Sequence, residues 1–235
     1  MHMTHGSNND DRARFLDMLP DGARAAFTRL GVRRRYAVGD VLMNEGDHAQ
    51  ELVVLHEGLV KVTARLDGDR ESLMDIRIAG DVVGELAAMD LGPRSATVTA
   101  CGVVVATVVP GHELVPFLLA NPETSLALNR LLCGRLRRSD RWRLEFGGYP
   151  VPVRLARVLV ELAVSYGRPD RNTVRIDVNL SQSEFAALTG STTHTVHKAL
   201  AQLRKDGLIT TGIRQTHVRD LARLRKAARL SVPVG

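Results

Sequence analysis

Cysteine is scarce in this chain of 235 residues: there are only Cys101 and Cys133, far apart in sequence. Neither sits in a metal-like spacing, so the plain reading is two buried thiols in a reducing cytosol. The eight histidines are scattered and form no ligand cluster with cysteine or aspartate. No apolar run reaches the ~18 residues that a membrane span needs. The longest, such as Val103–Val109, are strand-sized. The first ten residues are polar and lack a signal-peptide core. These absences lead to the expectation of a cytoplasmic protein without a membrane partner or a metal. No nucleophile, metal site or acid–base pair stands out either, so the chain is not expected to be an enzyme.

What is present is charge, unevenly placed. Residues 1–149 carry 18 Lys+Arg and 20 Asp+Glu, a net of −2, whereas residues 150–235 carry 14 and 6, a net of +8. A near-neutral module joined to a basic one suits a partner that is a polyanion; a merely soluble basic surface is the other reading of charge alone.

The texture of the chain changes twice. Residues 12–31 have a short helical rhythm with a break at Pro20-Asp21. From Arg35 to Val109, β-branched runs alternate with turns such as Gly39-Asp40, Glu57-Gly58 and Gly80-Asp81. Turns about every ten residues predict an all-β roll or barrel rather than βαβ units. After Pro116 the pattern is helical to about Phe146. A helix this long needs a partner. Either it is a solvated surface helix, or it spans subunits along a seam of Leu128, Leu132, Arg135 or Leu136, Ser139 and Trp142. Gly147 to Pro152 has the composition of a hinge. An amphipathic helix over Val153–Tyr166, a loop over Gly167–Thr173 and a strand over Val174–Val178 follow.

Ser181-Gln182-Ser183-Glu184 has the spacing of a capping box. The helix it opens ends at Gly190, and Ser191-Thr192 begins another that reaches Leu203. Helix, glycine turn, helix is the pattern of a helix-turn-helix. Val196, Leu200 and Leu203 form its apolar face, while Thr193, His194, His197 and Lys198 project the other way, where base edges of double-stranded DNA would be met. Ser181, Ser191 and Thr195 are candidate phosphate contacts near helix N-termini. A short β wing carrying Arg214 and a basic tail helix, Arg219–Arg229, complete the chain.

Gly80-Asp81-Val82-Val83-Gly84-Glu85-Leu86-Ala87, followed by Gly92-Pro93-Arg94-Ser95-Ala96-Thr97, resembles the phosphate-binding cassette of the Crp/Fnr regulators. The resemblance extends from about Phe15 to Arg223. It implies an α+β chain in three parts. These are a cyclic-nucleotide-binding β-roll (jelly-roll-like) over 12–115, a long dimerisation helix and hinge over 116–148, and a winged helix-turn-helix DNA-binding domain over 149–228. It implies a homodimer with a cyclic nucleotide as effector, cAMP favoured over cGMP, no tightly bound cofactor, and RNA polymerase as an admissible further partner. Gly84, Glu85, Leu86, Arg94 and Ser95 are then the phosphate and ribose positions, and the physical logic agrees. Arg94 can fork onto a compact monoanion, Ser95 adds a hydroxyl, a helical turn begun at Gly84 offers backbone N–H groups, and Glu85 can accept from a ribose hydroxyl.

Arg135, Ser139 and Asp140 fall where the family approaches the purine. Asp140 departs from the small hydroxyl of the cyclic-AMP receptors. It can accept from an exocyclic amine, or repel the ligand, or pair with Arg137 or Arg143. Thr193-His194 replaces an Arg-Glu pair and Lys198 a later arginine, so the familiar operator is not assumed. Tyr149-Pro150-Val151-Pro152 replaces the usual aspartate start of the next helix, and no N-terminal cysteine cluster is present. A regulator with an emptied pocket, binding DNA constitutively or sensing another effector, is the alternative.

Overall fold

The computed structural model describes residues 14–65, 71–176, 178–212 and 215–230. They belong to two compact units, Met1–Glu71 with Asp75–Asp140, and Ser72–Met74 with Arg141–Gly235.

In the first unit a 3-10 turn, Phe15–Met18, leads to helix α1, Asp21–Phe27, opened by Pro20. The strands are β1 (Val32–Tyr36), β2 (Val41–Met43), β3 (Leu52–Glu57), β4 (Leu59–Arg65), β5 (Glu71–Ile78), β6 (Val82–Val83), β7 (Thr97–Ala100) and β8 (Val104–Val109). They form two four-stranded sheets in the orders β1-β8-β3-β6 and β2-β7-β4-β5. The six-residue helix α2, Glu85–Asp90, is inserted after β6. Leu52 to Leu55 of β3 are all buried, which marks a strand covered on both faces. Leu55, Val60, Val98 and Val104 fill one core cluster. Phe15 and Phe27, edge to face at 5.2 Å between centroids, anchor another with Leu52, Val109 and Leu114.

Two helices follow, and they correct the expectation for this region. Helix α3 spans Gly111–Ala120 with Pro116 inside it, and the long helix α4 spans Pro122–Gly148. The punctuating proline is Pro122, not Pro116. A proline clashes with a helical predecessor, and Asn121 sits at φ −127°, ψ 78°. The Asn121 side chain donates to the Phe117 carbonyl at 2.8 Å and closes α3. The expected outer seam of α4 also needs correction. Leu128 is 2% exposed and packs with Ala127 and Leu131 in the cluster around Phe27. The face left outward carries Leu126, Cys133 and Leu136, with Leu136 61% exposed. Helical periodicity alone does not say which stripe meets the chain's own core. The helix continues through Gly147 and Gly148, and the chain breaks only at Tyr149-Pro150.

The second unit opens with α5, Val151–Tyr166, whose Leu155, Leu159 and Leu162 are buried. Then come β9 (Gly167–Asp170), β10 (Thr173–Ile176), α6 (Gln182–Thr189), α7 (Thr193–Lys205), β11 (Ile209–Gly212), β12 (Gln215–Val218) and α8 (Leu221–Ala227). The sheet order is β11-β12-β10-β9. The segment expected as a loop is thus half of a hairpin: Gly167 pairs with Ile176 and Asp170 with Thr173. Pro169 is tolerated because β9 is an edge strand. No helix among the described residues is long and apolar enough to cross a membrane.

Candidate functional site

The sharp corner between β6 and α2 builds the first site. Gly84 caps α2 in the left-handed region, at φ +79°. A side chain there would be strained, and a Cβ would also collide with the Arg94 guanidinium and lie 2.9 Å from the Glu51 carbonyl oxygen. The missing side chain is what lets Arg94 close on this corner. Gly84, Glu85, Leu86, Arg94 and Ser95 line one cleft together with Arg77 and Arg135.

Arg94 is 4% exposed. Its Nη1 donates to the Gly84 carbonyl at 2.9 Å and its Nη2 to Glu51 Oε2 at 3.0 Å. Its Nε is buried and has no hydrogen-bond partner among the described residues. Glu85 is 8% exposed and pairs with Arg135 Nη1, while Arg135 Nη2 donates to the Val82 carbonyl at 2.9 Å. Leu86 and Ser95 are exposed. Ser139 and Asp140 are exposed on α4 and do not line this cleft of their own chain. The structure therefore gathers Gly84, Glu85, Leu86, Arg94, Ser95 and Arg135, and leaves Ser139 and Asp140 apart.

Three charged groups here were not singled out from the sequence. Arg77 is almost fully buried and pairs with Asp75, two positions earlier on the same face of β5. Burial alone would lower its pKa, but the carboxylates of Asp75, Asp81 and Glu85 outweigh that and raise it. Burial pushes the Asp81 carboxyl up, partly offset by Arg77 and Arg135. Glu51 supplies the counter-charge of Arg94. The available signal was Asp75-Ile76-Arg77-Ile78, an arginine between two isoleucines with a carboxylate at strand spacing.

A buried guanidinium with an unmatched N–H, beside a corner too tight for a side chain, fits a compact anion in the cleft. Glu85, held by Arg135, lines the same cleft, and its carboxylate can accept from a hydroxyl group there.

The second site is the α6–α7 pair. Ser181 accepts from the Glu184 backbone N–H at 3.2 Å, and Glu184 accepts from the Ser181 N–H at 2.7 Å, so the capping box is formed. Gly190, at φ +55°, ends α6. Thr192 caps α7 by accepting from the Thr195 N–H at 3.3 Å, and the Ser191 N–H donates to the Ala186 carbonyl at 2.9 Å. Val196, Leu200 and Leu203 are buried, while Thr193, His194, His197 and Lys198 are exposed on the opposite face. His197 Nδ1 lies 3.3 Å from Gln182 Oε1, which ties the outer face of α7 to the start of α6. Arg204 donates to Thr211 Oγ1 at 3.1 Å, joining α7 to the β11–β12 wing. Arg214, the expected wing contact, lies outside the described residues.

Residues 33–121 match the family described as cyclic nucleotide-binding domain, and residues 153–227 match the Crp-like helix-turn-helix domain. The chain is 31% identical over 218 residues to a CRP-like cAMP-activated global transcriptional regulator of Mycobacterium tuberculosis, covering 93% of this chain and 97% of that protein. It is 32% identical over 196 residues to the transcriptional regulator LdrP of Thermus thermophilus, covering 83% and 96%. The crystal structure of a CRP-family transcriptional regulator, also from Thermus thermophilus, superposes with a TM-score of 0.71 at 28% identity, covering 86% of this chain and all of that one.

The α6–α7 turn is intolerant for two separate reasons: the left-handed backbone of Gly190, and the Phe146 ring, which packs where a Cβ would go. Gly190→Ala is expected to lower stability by about 1–3 kcal/mol, from strain and displacement of the ring. Thermal unfolding of Gly190→Ala, Phe146→Ala and the double variant measures this. Strict additivity would refute the contact.

Proposed function

This chain belongs to the Crp/Fnr family of transcription regulators, and on that premise we propose that it is a cytoplasmic homodimer that binds double-stranded DNA under the control of a cyclic nucleotide, cAMP favoured over cGMP. The observation that carries the effector half is the buried Arg94 with its unpartnered Nε beside the Gly84 corner. In this reading Arg94, Ser95 and the backbone of Gly84 to Leu86 hold the cyclic phosphate, and Glu85 accepts from the ribose hydroxyl. Arg135 and Ser139 approach the purine, and Asp140 reaches it from the second chain. The preference for adenine rests on relatives named as cAMP-activated or as a cyclic AMP receptor. A pocket kept as a fold but serving another effector is the second reading, favoured by the carboxylate already seated on Arg94.

The chain is read as three parts, over 12–115, 116–148 and 149–228, with α4 as the dimerisation helix. Its exposed Leu126, Cys133, Leu136 and Asp140 recur at steps of seven, three and four residues, which is the spacing of a coiled-coil seam. Effector in the cleft meets Arg135, which α4 carries. It acts through differential affinity for two arrangements of the dimer, only one of which sets both α7 helices at successive major grooves, ~34 Å apart. Thr193, His194, His197 and Lys198 then meet the bases, and Ser181, Ser191, Thr195 and Arg214 the backbone. RNA polymerase is a candidate further partner.

Calorimetry with cAMP and with cGMP is expected to show binding of cAMP, weaker binding of cGMP, and a loss of about 100-fold for cAMP in Arg94→Ala, the scale of a lost charge-assisted pair. Absence of heat with either nucleotide would refute the cyclic-nucleotide assignment. Light scattering at micromolar concentration should return the mass of a dimer, and Leu136→Glu should shift it towards the monomer; a monomeric wild type would remove α4 as a dimer seam. On a duplex selected from a random pool in the presence of cAMP, Lys198→Ala is expected to relax the base preference and leave the dependence of log K on log salt unchanged, as for a base-edge contact. A slope weaker by about 1 with base preference kept would place Lys198 on a phosphate instead.

A further inference from the structure

Arg94 meets its ligand with a counterion already attached. Glu51 Oε2 accepts from Nη2 at 3.0 Å, and the pair is unequal: the Arg94 side chain is 3% exposed and that of Glu51 43%. Glu51 is fixed at its root, since Leu52 to Leu55 of β3 follow it directly and are buried. Hydrogen bonding does not force it off the guanidinium. Of the five N–H bonds, one goes to Gly84 and one to Glu51, which leaves three for an incoming anion. An oxygen accepting one of those three would sit within about 8 Å of the Glu51 carboxylate. Like charges at that separation, partly wet, repel measurably.

The other cations of the cleft do not compensate. Arg77 is paired with Asp75, and Arg135 with Glu85. Each guanidinium that lines the cleft therefore has a carboxylate beside it; Asp75 is shared with Arg138 at 3.5 Å, and Asp81, 4.0 Å from Arg135, is a further acidic group that offsets this extra cation. The cleft offers donors to an anion but little net positive charge.

We propose that Glu51 is a charge-selectivity residue that admits a phosphate carrying one negative charge and disfavours one carrying two. A cyclic 3′,5′-phosphate is a diester with a single charge. Its ring-opened 5′-monophosphate keeps the same base and ribose but carries nearly two charges above the second pKa of ~6. Glu51 thus lets the site separate the intact cyclic nucleotide from its hydrolysis product by charge, in addition to shape. This rests on reading the cleft as a cyclic-nucleotide site.

Repulsion scales with ligand charge, so neutralising Glu51 should improve binding of a dianion by the square of the factor it gives a monoanion. Glu51→Gln removes the charge and keeps an oxygen to accept from Arg94 Nη2. Calorimetry at pH 8 with cAMP and with 5′-AMP, on the full chain, reads the effect. For Glu51→Gln we expect cAMP to tighten about fivefold and 5′-AMP about twenty-five-fold, so that the preference for cAMP falls about fivefold. Glu51→Ala should lower the preference similarly, and the difference from wild type should shrink at ~1 M salt, where the Debye length is about 3 Å. An equal change for both ligands, or weaker binding of both, would show that Glu51 only holds Arg94 in place and would overturn the proposal. If neither wild type nor Glu51→Gln binds cAMP, the cyclic-nucleotide reading fails, and the role of Glu51 with it.

Discussion

Burying the charge of Arg94 is the constraint on which the first unit turns. A guanidinium taken out of water is costly unless its charge and its N–H groups are matched. The chain meets this demand from several directions. Glu51 supplies the opposite charge and the Gly84 carbonyl an acceptor. The backbone of the same loop is pinned as well: the Arg94 N–H donates to the Asp47 carbonyl and the Gly46 N–H donates to the Arg94 carbonyl. The side-chain contacts need Gly84 to have no side chain, because a Cβ would stand where the guanidinium and the Glu51 carbonyl meet. Nε has no hydrogen-bond partner among the described residues, and an unmatched buried N–H is a donor that an anion can use.

The same logic spreads outwards to α4. Glu85 faces the cleft but is also buried, so it requires a cation, and Arg135 reaches in from α4 to provide one. Arg138, one turn further along, approaches Asp75 at 3.5 Å. The long helix is thereby fastened to the β-structure by ion pairs as well as by the packing of Ala127, Leu128 and Leu131. Whatever alters the charge balance of the cleft alters the groups that hold α4. In the proposed reading, that is a physical route from effector to helix, without any need for a large movement at the pocket itself.

How much of this could be read in the sequence depends on the range of the interaction. The Gly84 corner, the Ser181–Glu184 box and the Gly190 turn are local, and each residue type is chosen for a backbone geometry a few residues away. They were legible for that reason. Glu51 was not, since its partner is 43 positions distant and nothing about a lone glutamate before a strand signals it. The Asp75–Arg77 pair was visible only as an oddity inside β5. The seam on α4 was misplaced because apolar residues occur on two stripes, and only packing shows that Leu128 belongs to the chain's own core and Leu136 does not. Strand β9 was hidden by its composition, Gly167-Arg168-Pro169-Asp170, which only an edge position accommodates.

The helix-turn-helix obeys a different logic from the cleft. Its stability resides in one face of α7, where Val196, Leu200 and Leu203 are buried, and in caps that lie at the helix ends. Thr193, His194 and Lys198 are exposed and contribute nothing to that core. Residues on such a face can be exchanged at little cost to folding. In the proposed reading, the departure of Thr193-His194 from the Arg-Glu pair is a change of recognition chemistry that leaves the core of the helix pair untouched. Neither threonine nor histidine carries the guanidinium fork that reads guanine bidentately, so in the proposed reading the contacts made at these positions are of another kind. In the cleft the reverse holds. There the charged groups that line the cleft also pair with one another, so each side chain serves the fold as well as the cleft.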